Sequence, residues 1–239
     1  MNAAALLAAW EEGQGQGPAH RALSLLAAAD PEAGWEELAA LPLGERDRRL
    51  LDLRQAALGG RLDGVARCPG CGETLDVALD SRSLRVEAVA GPELALSRAG
   101  LELRFRLPDS RDLLAAEACA GVAEARRTLA ERCVVEAWRG GAPVAAAALA
   151  DEEVAALADA LAAADPGAEL LLELSCPVCG HGWSAILDVA SFVWSEVEAE
   201  ALRLLGEVHV LARAYGWREG DVLALSPRRR RLYLGMVAG

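Results

Sequence analysis

The sequence contains no lysine, a single isoleucine (Ile186), three histidines and only 4% aromatic residues. Its uncharged apolar runs are too short to cross a bilayer, which argues against a membrane-spanning helix. The chain is nevertheless 53% hydrophobic, with 51 alanines among 239 residues, and this excludes an intrinsically disordered chain. A length of 239 residues predicts one or two domains with a sizeable core.

Basic residues are scarce relative to acidic ones, 24 against 36, which gives a formal net charge of −12. Such a chain should repel a phosphate backbone unless its arginines lie on one face, so general nucleic-acid binding is disfavoured. Arg228–Arg231 is the one basic cluster. It predicts a solvated helix end whose stems cover apolar surface, with an acidic partner surface or RNA as alternatives.

The amino terminus lacks the features of an export signal. Its first basic residue is Arg21, and the apolar run Ala3–Trp10 ends in Glu11 and Glu12. We therefore predict a cytoplasmic protein, which does not forbid later incorporation into a particle. Its six cysteines are then expected to be reduced thiols, and Cys-x-x-Cys spacing favours a metal over a disulfide.

Recognisable catalytic motifs are also lacking. The sequence has no Gly-x-Ser-x-Gly, phosphate loop, His-Glu-x-x-His or dinucleotide fingerprint, and its three histidines are scattered. We predict that the protein is not an enzyme.

Two copies of one cysteine motif are present, Cys68-Pro69-Gly70-Cys71-Gly72 and Cys176-Pro177-Val178-Cys179-Gly180. Each places two thiols across a tight turn, and the last glycine supplies the positive φ that directs backbone amides toward sulfur. Strand-like segments flank both turns, as in a zinc ribbon. We predict one structural zinc per chain, bound by Cys68, Cys71, Cys176 and Cys179; ordinary turn cysteines or a redox pair are the alternatives.

The two motifs are separated by 104 residues, whereas compact ribbons use roughly 15–20. Closing the longer loop adds only about 1.5 kcal/mol. A structural zinc contributes roughly 10–16 kcal/mol. The metal therefore outweighs the loop and is predicted to hold the two halves of the chain together.

Cys119 and Cys133 lie outside the motifs, fourteen residues apart in a segment with a helical pattern. On one continuous helix they would be ~21 Å apart on the same side, so we predict packing thiols and no disulfide. His181 directly follows the second motif. With four cysteines available, we expect it to be a donor near the site or an exposed residue rather than a ligand.

The residue patterns predict an α+β protein. Helices are expected from Asp30-Pro31, over Gly44–Leu58, over Ser191–Tyr215 and from Ser226 to Val237; strands are expected at Leu75–Asp80, Leu101–Leu107, Glu169–Leu174 and Trp183–Val189. We predict a helical segment at 1–60, a small antiparallel zinc-ribbon-like domain at 61–190 with a helical insert at about 109–164, and carboxy-terminal helices at 191–239.

Four aromatic residues flank the last long helix: Phe192, Trp194, Trp217 and Tyr233. One interpretation buries all four in the core of this chain, since large aromatics are mostly buried. The other is that Trp217–Tyr233 docks on a partner, with Arg228–Arg231 as the polar rim.

The stretch Leu41-Pro42-Leu43-Gly44-Glu45-Arg46-Asp47, followed by Leu50, Leu51, Leu53 and Arg54, resembles the leucine-rich helix of baseplate-associated proteins of contractile phage tails and tail-like injection systems. The two zinc turns and the stretch from Tyr215 to Leu234 are similar to that T-even phage baseplate family as well. The resemblance implies a structural or assembly role through contacts with other baseplate or tail proteins. The alternative is a zinc-ribbon module that binds nucleic acid or has a regulatory role.

Overall fold

A computed structural model describes residues 1–84, 86 and 94–238. Residues 85 and 87–93, which belong to the predicted 61–190 domain, lie outside the described residues. The helices are α1 (Ala3–Gly13), α2 (Pro18–Ala29), α3 (Trp35–Ala39), α4 (Leu43–Leu58), α5 (Ser110–Glu117), α6 (Val122–Cys133), α7 (Asp151–Ala164), α8 (Val189–Tyr215), α9 (Glu219–Leu223) and α10 (Pro227–Ala238). The strands are β1 (Arg61–Arg67), β2 (Thr74–Asp80), β3 (Leu94–Arg98), β4 (Leu101–Phe105), β5 (Val134–Arg139), β6 (Ala142–Pro143), β7 (Leu170–Ser175) and β8 (Gly182–Leu187). The predicted α+β class is confirmed, and the strands form three antiparallel sheets, β1-β2, β3-β4-β5-β6 and β7-β8.

The main core lies where the apolar faces of α1, α2 and α4 meet one side of α8. Its fully buried members include Leu23, Leu50, Val193 and Leu204. Leu62 of β1 and Leu170 of β7 join the same core, so each two-stranded hairpin is rooted in it. The division into 1–60, 61–190 and 191–239 stays a prediction, and the main core draws on residues from all three ranges.

Helix α8 is confirmed almost as predicted and is the longest element described. The Asp188 side chain caps its first turn by accepting a hydrogen bond from the Ser191 N–H at 3.0 Å. Gly216, with φ of 68°, ends it in the left-handed conformation that glycine adopts without strain. Among the described residues, no helix combines the length and apolar character needed to span a membrane.

The predicted helix start at Asp30-Pro31 is wrong. Asp30 instead ends α2, with its N–H donating to the Leu26 carbonyl at 2.9 Å. The alanines that precede it continue α2. A proline disfavours helical geometry in the residue before it. Asp30-Pro31 therefore marks the end of α2, and α3 starts only at Trp35.

The predicted all-helical insert at 109–164 is also wrong in part. Helices α5, α6 and α7 are present, but Val134–Arg139 forms strand β5, which pairs with β4. β-branched residues follow directly on Cys133, and Gly140-Gly141 turns the chain between β5 and β6 with φ of 58° and 81°. This sheet packs against α7 through Phe105 and Leu157, forming a second core.

The carboxy-terminal helices form a third, small core on the last turns of α8. Trp217 and Tyr233 pack there edge to face, 4.9 Å apart. Trp194 is buried in the main core and Phe192 packs at its margin, so all four predicted aromatics contact this chain's own cores.

The interpretation of Arg228–Arg231 as a solvated helix end needs one correction. Arg230 is buried, donating to Glu207 and to the Leu225 carbonyl, both at 2.7 Å. The other three arginines are exposed.

Candidate metal centre

The two cysteine motifs form the turns of two matching β-hairpins. Strands β1 and β2 pair up to Arg67 opposite Thr74, and β7 and β8 pair up to Ser175 opposite Gly182. Side chains alternate between an exposed and a more buried face along all four strands. Because Leu62 and Leu170 fix the other end of each hairpin in the main core, the turn with its cysteines lies at the end away from that core.

The two turns have the same backbone hydrogen bonds. Cys68 N–H donates to the Glu73 carbonyl at 2.8 Å, and Gly72 N–H donates to the Cys68 carbonyl at 2.9 Å. In the second turn, Cys176 bonds to His181 and Gly180 to Cys176 in the same way, each at 2.9 Å. The predicted positive φ of the closing glycines is confirmed, at 78° for Gly72 and 73° for Gly180.

All four motif cysteines come together at the hairpin tips, with their sulfur atoms within 4.8 Å of one another. The Sγ atoms of Cys68 and Cys179 are 3.6 Å apart, and those of Cys71 and Cys176 are 3.7 Å apart. These distances are far too long for a disulfide. They are close to the ~3.8 Å edge of a sulfur tetrahedron with metal–sulfur bonds of about 2.3 Å. The arrangement can hold a metal ion.

The four sulfurs of the cluster affect one another's ionisation. Desolvation raises the pKa of the Cys68 thiol, but N–H groups of Cys71 and Gly70 outweigh it and lower the pKa to about 7. At Cys71 the Glu73 N–H lowers the pKa, yet hydrogen bonds with the other thiols raise it to about 12. Four thiolates this close together would repel one another strongly. A bound cation would offset their charge and allow all four cysteines to be deprotonated.

The cluster joins the hairpins at the end opposite their roots. Between root and tip, a cavity of about 360 Å³ separates the inner faces, lined by apolar side chains that include Val77, Leu172 and Phe192. Packing between the hairpins is therefore incomplete along their length. Apolar contact fixes the roots, and the tips come together at the sulfur cluster.

His181 lies beside the cluster as expected, but it contacts the cluster through its backbone. Its N–H donates to the Cys179 sulfur, while its imidazole stacks on Trp183 with ring centres 6.3 Å apart. A Cβ at Gly70 would lie 3.1 Å from His181 Cβ, a tight contact that favours glycine where the two turns approach each other.

Cys119 and Cys133 lie outside the cluster. They do not share one continuous helix, because α5 ends at Glu117 and α6 begins at Val122. Cys133 is fully buried, and this burial raises its thiol pKa to about 12. Cys119 is half-buried against Thr128, with Sγ and Oγ1 3.4 Å apart. The burial of Cys133 and the contact of Cys119 with Thr128 are typical of packing residues.

Replacing both of these cysteines by alanine should therefore leave metal binding intact. We expect an unchanged metal-to-protein ratio and a loss of unfolding free energy on the order of 1 kcal/mol per site, from the buried volume removed. Elemental analysis and denaturant titration check the two quantities. Loss of metal from this double variant would show that the ligand assignment is wrong.

Sequence reasoning missed a set of ion pairs around a buried carboxylate of the insert. Asp112 is fully buried; it accepts hydrogen bonds from Arg106 at 2.7 and 2.8 Å, from Arg132 at 2.7 Å and from the Asp109 N–H at 3.0 Å. The Asp109-x-x-Asp112 spacing, a capping box at the start of α5, was the available signal. These ion pairs connect α5, α6 and the end of β4, which is a structural role.

The leucine-rich motif has a structural explanation as well. Gly44 N–H donates to the buried Asp165 carboxylate at 2.9 Å, and a Cβ at Gly44 would lie 2.0 Å from that side chain. From the far end of α4, Arg54 makes a two-pronged pair with Glu196 of α8, at 2.7 and 2.8 Å. The motif thus connects α4 to both the insert and α8.

In the described part of the chain, the four cysteines are the one cluster of metal-ligating side chains. Four thiolates leave no open coordination position, so the arrangement suits a structural ion rather than a catalytic one.

The class of protein that these features define is shown by comparison with known families. A model of the family described as T4 bacteriophage base plate protein matches residues 28–194, which is more than half of the chain. The protein therefore belongs to the T4 bacteriophage base plate protein family. No curated protein and no solved structure matches it significantly.

Proposed function

We propose that this protein is a zinc-containing structural or assembly component of the baseplate of a contractile tail or tail-like injection system, acting through protein–protein contacts. The family match supports the baseplate role. The meeting of four cysteines from two distant hairpins is the observation that carries the proposal of a structural metal.

Zinc is the metal that this donor set favours. Four thiolates in a tetrahedron form a common structural zinc site, and redox-inactive zinc suits a site with no open position. Cys68 and Cys71 hold it from one hairpin, and Cys176 and Cys179 from the other. At one ion per chain, zinc would connect the segment before the insert to the segment after it.

We propose no enzymatic activity. The protein is made in the cytoplasm and becomes part of the assembled particle or of an assembly intermediate. Its partners in this proposal are other baseplate or tail proteins, and nucleic acid is not among them, because the chain carries a net charge of −12.

Deletion and complementation of the gene test the role in the baseplate. We expect particles without the protein to lack complete baseplates in electron micrographs, and the wild-type gene to restore them. The Cys119→Ala/Cys133→Ala variant should restore them too, whereas the Cys71→Ser/Cys179→Ser variant should not. Normal baseplates in the deletion strain would contradict the proposal.

A salt titration with generic DNA and RNA separates this function from the nucleic-acid alternative. Our proposal predicts no binding at moderate ionic strength. A nucleic-acid module would bind and would weaken steeply as salt rises. Such a result would favour the alternative.

A further inference from the structure

Helix α10 has a side that the described part of the chain leaves uncovered. Each residue advances about 100° around a helix, which puts Arg230, Tyr233 and Leu234 on one side. These three pack inward: Arg230 is buried, and the other two are half-buried in the small core. The opposite side consists of residues that are all exposed, and we name it the outer face of α10: Arg228, Arg229, Arg231, Leu232, Gly235 and Met236.

Two large apolar side chains lie next to each other on the outer face. Leu232 is 58% exposed and Met236 is 69% exposed. Residues four apart are neighbours on a helix, so the two form one apolar strip. Isolated exposed apolar residues are common, but adjacent ones framed by polar residues mark interaction sites.

The charge of the outer face is opposite to that of the chain. Arg228, Arg229 and Arg231 form no salt bridge with any described residue, whereas their neighbour Arg230 is paired with Glu207. The chain as a whole has a net charge of −12. Arginine is enriched in interfaces, and three unpaired arginines around an apolar strip are complementary to a partner surface with carboxylates around an apolar patch.

Gly235 provides an independent observation. It lies inside α10, where glycine is less stable than alanine. Its φ is not positive, and a Cβ at this position would meet no atom within 4 Å. Neither its conformation nor its packing in this chain requires glycine. A residue without a side chain on an exposed helix face allows another backbone to approach closely.

We infer that the outer face of α10 docks on an acidic surface of another baseplate protein. Carboxylates of the partner pair with the three arginines, an apolar patch covers Leu232 and Met236, and the partner's backbone approaches Gly235. This inference rests on the proposed baseplate role. The family match ends at residue 194, so it does not include α10. The docking surface differs from the predicted Trp217–Tyr233 surface, since those two aromatics pack on each other.

The test measures binding of the full-length chain to each purified baseplate protein encoded beside its gene, by biolayer interferometry over a salt series. We expect one of them to bind the wild type, and to bind less tightly as salt rises. Arg228→Ser/Arg229→Ser/Arg231→Ser should weaken binding at least about tenfold and flatten its salt dependence. Leu232→Ser/Met236→Ser should weaken it at every salt concentration. Gly235→Ala should weaken binding while raising the melting temperature of the free chain.

The matched control removes the same charge elsewhere, through Arg61→Ser/Arg82→Ser/Arg126→Ser at three exposed positions. This variant should bind as the wild type does. If the wild type binds no baseplate protein, both this inference and the proposed function fail. If it binds and the outer-face variants bind equally well, only the docking inference fails. Self-association or DNA binding through the outer face, lost in the triple arginine variant, would also overturn it.

Discussion

The Cys71→Ser/Cys179→Ser variant is expected to lose its zinc and to melt at least about 20 °C below the wild type. A structural four-thiolate site contributes on the order of 10 kcal/mol to folding, and each kcal/mol shifts the melting temperature of a chain of this size by about 2–4 °C. Both replaced cysteines are exposed, so the change removes ligands while creating no buried cavity. Thermal melting followed by circular dichroism measures the shift.

A chelator should have the same effect on the wild type and almost none on the variant, because the variant has no metal left to lose. The Cys119→Ala/Cys133→Ala variant is the matched control, with two cysteines removed outside the cluster. Equal melting temperatures for the Cys71→Ser/Cys179→Ser variant and the wild type would contradict the proposal that a metal stabilises the fold.

The second large effect is expected at Asp112, which is fully buried among its hydrogen-bond donors. Asp112→Ala removes the acceptor shared by Arg106 and Arg132 and should cost about 3 kcal/mol of unfolding free energy, since breaking a buried ion pair leaves charges uncompensated. Both arginines are partly exposed and can regain water, which holds the cost near the lower end of the usual range. Urea titration measures it.

Asp151→Ala is the matched control for this prediction. Asp151 also pairs with an arginine, Arg127, but its side chain is 96% exposed, and such pairs contribute less than about 1 kcal/mol. Equal losses of unfolding free energy in Asp112→Ala and Asp151→Ala would contradict the explanation that burial makes the ion pairs of Asp112 strong.

Stability at Asp112 should also depend on pH. Desolvation raises the pKa of this carboxyl, but hydrogen bonds from Arg106, the Asp109 N–H and Arg132 outweigh it and hold the pKa below its usual value. A group whose pKa falls on folding stabilises the protein above its unfolded pKa, about 3.9, and loses that contribution as pH falls through the folded pKa. The stability difference between the wild type and Asp112→Asn should therefore be constant near neutral pH and shrink below about pH 4.

The four-cysteine cluster was the part of the molecule most accessible from sequence. Cys-Pro-x-Cys-Gly is a local signal, because proline, glycine and the two-residue spacing determine the turn within five residues. Its repetition predicted that the two turns meet, and the structure brings all four sulfurs together. Helix α8 was predictable for a similar reason, since its apolar spacing persists over many turns.

The errors arose where tertiary pairing decides the local structure. Val134–Arg139 became a strand because β4 offers it partners that lie 29 to 38 residues earlier in the chain, which periodicity alone does not reveal. Arg230 lies among identical neighbours, and its burial depends on Glu207 of α8. Asp112 likewise depends on arginines from β4's end and α6. The pairing of β5 with β4 and the ion pairs of Arg230 with Glu207 and of Asp112 with Arg132 join residues 20 or more positions apart, and no local pattern encodes them.

Native mass spectrometry of the purified full-length chain, combined with elemental analysis, tests the central claim most directly. The account predicts one zinc ion per chain in the wild type and none in the Cys71→Ser/Cys179→Ser variant. A wild-type chain that folds without any metal, with all six cysteines as free thiols, would contradict it.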